Sequence, residues 1–249
     1  MQVAAIPLYF TNPILGVVLL ILYYLFHSVK EARLINLMLN FICLSGSFNA
    51  FLKFLFQIPL HESLNNQCWW AFPSGHMQYG IVLWGMIWIN CKFNKALLAL
   101  FVFCLLLSSI SMQYYNYHTF LEMLGALPPA ILILLAYKTI LDNKISLLYI
   151  NLFSIVFQLI VIYVVQSPCI NYHFTFFWLN LGCNVGLLIS LAIKYDHQLT
   201  SLLKKNIALI LFLIYVFIFQ YVTAKYNTIE ICFIAGMAFI LAITLTKQI

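Results

Sequence analysis

His76 closes the run Pro73-Ser74-Gly75-His76 at the start of a strongly apolar stretch, where an ionisable side chain is costly and usually functional. Proline suits the first position of a helix, which puts His76 in the first turn. Unpaired backbone N–H groups and the helix dipole favour an anion there, and Gly75 permits close backbone approach. Phosphate is the natural ligand for such a place. Further along stands His118, followed four residues later by Glu122. On one helix face that spacing lets the carboxylate hold the imidazole in one tautomer and stabilise its cation, as a nucleophile or general base requires. Lys53 supplies a fixed positive charge.

The elements that must position these groups follow from composition. Of 249 residues, 65% are hydrophobic and 7% charged, against about 25% charged in a soluble domain. Nine apolar segments, each near the length of a bilayer crossing, run about 13–29, 34–56, 73–91, 95–112, 118–138, 145–166, 172–194, 206–223 and 228–246. The expectation is an all-α polytopic membrane helix bundle of about nine transmembrane helices. The N-terminus shows no basic region or cleavage site, so the first segment is expected to be a retained span. Asn12 then Pro13 reads as a cap and a first helical position. Pro128-Pro129 is expected to kink the fifth span. The seven cysteines fall in no metal-ligand spacing and read as small packing residues, with Cys68 and Cys169 able to meet on the outer side.

Charge orients the bundle. With the N-terminus outside, the inner loops and tail hold Lys30, Arg33, Lys92, Lys95, Lys138, Lys144, Lys194, Lys204, Lys205 and Lys247, while the outer loops hold Lys225. This is a positive-inside pattern with a cytoplasmic C-terminus, and it accounts for the net charge of +6 without nucleic acid. The chain descends from His76, turns at Lys92–Lys95 and climbs back, so His76 and His118 reach the same side. Lys53, near the outer end of the second span, joins them, as do His61, Glu62 and His173. An outward-facing polar site near the bilayer interface is expected, in a plasma or bacterial inner membrane.

These residues resemble the motif blocks of the type 2 phosphatidic acid phosphatase superfamily, KxxxxxxRP, PSGH and SRxxxxxHxxxD, which sit on a core of six spanning helices. The first block reads here as Lys53 to His61, the second as Pro73 to His76, and the third as Ser111-Met112, His118 and Glu122. The resemblance covers residues 1–166 and leaves 167–249 as additional C-terminal helices. It implies metal-independent hydrolysis or transfer of a lipid phosphate at the outer face, without a cofactor. His118 would attack phosphorus to form a phosphohistidine, Glu122 would orient it, and His76 would protonate the leaving group. Lys53, Ser74 and Gly75 would hold the phosphoryl oxygens. The implied partner is a membrane lipid phosphate or diphosphate.

The departures are specific. Leu60 and Met112 stand where the family has arginines, and Glu122 replaces an aspartate. Neither leucine nor methionine offers phosphate the bidentate fork of arginine, and His61 stands beside Leu60 as a substitute cation. Sphingomyelin synthase-like phosphotransferases are similar in another way, keeping a His, His, Asp set without those arginines. The competing expectation is a catalytically impaired relative that binds a lipid or serves as a scaffold. In that reading His118 and Glu122 are a structural pair and Lys53 snorkels to the interface. A transporter is disfavoured, since no inverted repeat or paired broken spans occur. Trp69, Trp70, Tyr114, Tyr115 and Tyr117 read as an outer aromatic belt.

Overall fold

A computed structural model describes Thr11 and residues 32–59, 70–143, 145 and 147–164. The first, seventh, eighth and ninth expected spans lie outside the described residues. Those described form an all-helical structure with no strand: α1 (Ala32–Phe56), α2 (Gly75–Asn90), α3 (Lys95–Tyr114), α4 (Phe120–Leu124), α5 (Leu127–Asp142) and α6 (Leu147–Val164). Three stretches are long and apolar enough to cross a membrane: Leu37–Phe56, Lys95–Tyr114 and Phe120–Asp142. The chain carries helices compatible with an integral membrane protein. α2 has 16 residues, about 24 Å at 1.5 Å per residue, short of a bilayer core of about 30 Å.

The chain divides into two compact units, one of residues 1–21 and 44–145, the other of 22–43 and 146–249. The first holds every described site residue. Within it α2 packs against α3 and most extensively against α5. Gly85 makes the second contact possible, since a Cβ there would stand 2.5 Å from Leu134 Cδ1. Nearer the other end of α2, Asn90 Nδ2 donates to Tyr137 Oη at 2.8 Å, and Tyr137 is fully buried. α2 turns into α3 within four residues because Lys92 and Phe93 both adopt left-handed backbone, with φ of 55° and 59°. Asn94 then caps α3, its Oδ1 accepting from the amides of Ala96 and Leu97 at 2.9 and 3.1 Å.

The fifth span differs from expectation. Pro128 and Pro129 do not bend a continuous helix; they lie in the first turn of α5, which restarts after a break at Gly125 and Ala126. A first turn has no intrahelical acceptors for its N–H groups, so proline loses nothing there. In the second unit, α6 buries Asn151, Ser154 and Gln158 at successive turns of an otherwise apolar helix.

Candidate active site

Three pieces of chain meet at one end of the first unit. The first is the last turn of α1, with Lys53. The second is the turn into α2. Ser74 is its N-cap, in extended backbone with its Oγ accepting from Met77 N–H at 3.5 Å, as a serine at this position commonly does. The third is the turn out of α3 together with the first turn of α4, carrying His118 to Glu122.

The third piece is built by a reciprocal cap. Thr119 Oγ1 accepts from the amide of Glu122 at 3.4 Å, while Glu122 Oε2 accepts from the amide of Thr119 at 2.9 Å. The same Oε2 stands 3.1 Å from His118 Nδ1. His118 therefore lies ahead of the helix rather than on its face, and the carboxylate reaches back to it through the cap. The i, i+4 pairing is present by a different route from the one expected. A carboxylate can only accept, so Nδ1 carries the proton and Nε2 keeps its lone pair. The side chains are 8% and 14% exposed.

A backbone hydrogen bond joins the second and third pieces, from Ser74 N–H to the carbonyl of Glu122 at 3.0 Å. Gly125 completes the join, since a Cβ there would fall 2.0 Å from the ring of Phe72. Lys53 is held from the first piece. Its Nζ donates to the carbonyl of Trp70, and its Cε passes 4.0 Å from where a Gly75 Cβ would stand. An antiparallel bridge pairs Pro59 with Trp70, and Ala71 N–H donates to Ile58 O at 2.7 Å.

The four ionisable groups feel one another. Lys53 acts on both His76 and His118, His76 acts on His118, and Glu122 acts on Lys53 and His118. His118, in the turn before the span Phe120–Asp142, is pushed down to about 4. Burial is the main cause, followed by the charge of Lys53, against the opposing hydrogen bond and charge of Glu122. The imidazole is neutral at physiological pH. His76 is exposed on the first turn of α2, and neither its amide nor that of Gly75 has a hydrogen-bond partner among the described residues.

Of the residues expected to act, Lys53, Ser74, Gly75, His76, His118 and Glu122 are thus brought together, while His61 and Leu60 lie outside the described residues. Ser74 is there but turned inward. It is fully buried, and its Oγ contacts Met112 Sδ at 3.9 Å. Met112, in the place of an arginine, is 1% exposed and packs with Met77, Met123, Ala126 and Leu105. That position is filled by apolar side chain and offers no donor. Among the described residues no three His, Cys, Asp or Glu side chains converge as metal ligands.

Sequence reasoning missed Thr119, Asn49 and Gln78. Thr119 carries a legible signal, the T-x-x-E of a capping box. Asn49 lies one turn before Lys53, and its Nδ2 donates to Gln78 Oε1 at 2.9 Å and to Pro73 O at 3.4 Å. The signal was Ser45, Asn49 and Lys53 at four-residue spacing on an apolar helix. Compared with known proteins, the chain matches no family model, no curated protein and no solved structure.

Proposed function

We propose that the protein is a lipid phosphate phosphohydrolase or phosphotransferase whose nucleophile is His118, working at the outer face of a membrane with the N-terminus outside and the C-terminus cytoplasmic. The observation that carries this reading is the bond from His118 Nδ1–H to Glu122, which leaves Nε2 as a neutral, oriented nucleophile. The amides of Gly75 and His76, which have no partner among the described residues, supply positive potential for the phosphoryl oxygens with Lys53 beside them. Nε2 attacks phosphorus, the bond to the leaving oxygen breaks, and His76, entering the step as its imidazolium, gives that oxygen its proton and is left neutral. His76 then takes a proton from water or an acceptor hydroxyl, whose oxygen attacks phosphorus and releases His118.

A second reading rests on Met112. Its buried thioether against Ser74 removes a donor that the resembled site uses, so the pocket serves equally as a lipid phosphate binder without turnover. Hydrogen bonds to charged groups contribute about 1.5–3 kcal/mol each, so the missing donors cost roughly tenfold or more apiece in rate. Assaying the purified protein against lipid monophosphates and diphosphates separates the two. Release of phosphate, or its transfer to an acceptor lipid, supports the enzyme; stoichiometric binding without turnover supports the binder.

A further inference from the structure

We infer that Asn49 is the positioning residue of the anion cradle, its amide locked in one orientation by Gln78 so that it fastens the Pro73–His76 turn to α1. The inference rests on the reading of that turn as phosphate-binding. Asn49 is 5% exposed, and Gln78 and Ser45 are fully buried. Gln78 Nε2 donates to the carbonyl of Ser45 at 3.0 Å and to its Oγ at 3.2 Å. A carbonyl only accepts, so this end of Gln78 must be its NH₂, and its Oε1 must face Asn49. Asn49 in turn must present Nδ2, which binds that oxygen and the Pro73 carbonyl together. Its Oδ1 is left facing Gly75, 3.1 Å from where a Cβ would stand. Two main-chain carbonyls, Ser45 on α1 and Pro73 ahead of α2, thereby fix both amides. The chain of bonds ends one residue before the cap whose neighbouring amides, Gly75 and His76, have no partner among the described residues.

A general packing role and a positioning role differ in how Asn49→Asp responds to pH. The ionised carboxylate turns acceptors towards two acceptors, Gln78 Oε1 and Pro73 O, and opens the clamp; the protonated acid regains a donor and closes it. The charged groups around this position are Lys53 from α1, whose Cε also approaches Gly75, and His76, next to Gly75 on α2; Lys53 acts on His76, Glu122 from α4 acts on Lys53, and His118 feels all three. All four are common to variant and wild type. The ratio of their affinities for phosphate at each pH reports residue 49, and Gln78→Met, measured in parallel, removes the lock without adding a charge and so separates a lost clamp from repulsion of the anion by the introduced carboxylate.

The test is equilibrium dialysis of radiolabelled inorganic phosphate against the purified full chain in detergent, from pH 5 to pH 8. The expected ratio is about tenfold or more in favour of wild type at pH 8, shrinking to about threefold or less at pH 5. A ratio that does not change with pH, or an unchanged affinity, overturns the inference and leaves the proposed function standing. If the variant unfolds at pH 8, Gln78→Met decides, since it keeps the volume and removes the lock. Weakening beyond about threefold then supports the inference, and unchanged affinity overturns it. Wild type that binds phosphate but turns over no lipid phosphate loses only the enzyme reading. Wild type that binds no phosphate overturns both.

Discussion

Ser74 N–H donates to the carbonyl of Glu122 at 3.0 Å, so the cap of one helix is bonded to the residue that orients His118. This bond ties the start of α2 to the His118–Glu122 pair. Two segments far apart in sequence are thereby joined by a main-chain hydrogen bond and by the close approach of Gly125 to Phe72.

Glu122 both caps α4 and holds His118, and Glu122→Gln separates these duties. Glutamine also serves in a capping box, and its oxygen can still accept from Nδ1, so the thermal midpoint should stay within a few degrees. Turnover of a lipid phosphate should fall about 10- to 100-fold, because the charge that stabilises the imidazolium is gone. Glu122→Ala should lose the cap as well, at about 0.5–2 kcal/mol. Equal turnover in wild type and Glu122→Gln would make the residue a cap alone.

His118 sets a pH dependence. Its folded value, about 4, lies below its ordinary 6.5, so between those values the unfolded chain binds more protons than the folded one. Stability is therefore full above pH 6.5 and is lost as pH falls towards 4. His118→Gln should flatten this part of the dependence, as read by thermal midpoints at pH 7 and pH 4.5. Turnover in the wild type should persist to about pH 5 and fail near 4, as Nε2 becomes protonated.

Met112→Arg inserts a cation among Met77, Met123 and Ala126, beside Ser74. An unpaired buried charge destabilises strongly, so the thermal midpoint should drop. Inorganic phosphate should restore part of it, with a larger phosphate-induced shift than in wild type, because the anion pairs the guanidinium. In a folded variant with Leu60→Arg also present, lipid phosphate turnover should rise. An identical phosphate shift in variant and wild type would mean that position 112 does not face the anion.

Gly85→Ala should separate α2 from α5. Its Cβ would stand 2.5 and 2.8 Å from the two Leu134 methyl carbons, a degree of overpacking that costs about 1–3 kcal/mol. Leu134→Ala in the same chain should return most of the loss, which a double-mutant cycle of thermal midpoints measures. Additive effects would contradict the contact.

Helical class and apolar spans were legible because composition and segment length report directly on the bilayer as solvent. The boundaries of α3 follow closely, since the Lys92–Lys95 turn marks one end. The break between α4 and α5 was not read, because a proline pair looks alike whether it kinks a helix or opens one. His118 and Glu122 were found by spacing, but the spacing suggested a shared helix face when a cap forms the contact. Thr119 carried the missing clue. Asn49 and Gln78 belong to different helices, and no local pattern announces a bond between them. Ser74 was assigned outward from its motif, whereas Met112, by filling the adjacent space, turns its hydroxyl inward.

The most direct measurement is to expose the purified protein to phosphatidic acid radiolabelled at phosphorus, quench it, and map the label. A phosphohistidine at His118, acid-labile and base-stable, should form in the wild type and accumulate when His76 is changed. His118→Ala should abolish both label and turnover. Full turnover in a folded His118→Ala variant, or label residing on another residue, would contradict His118 as the nucleophile.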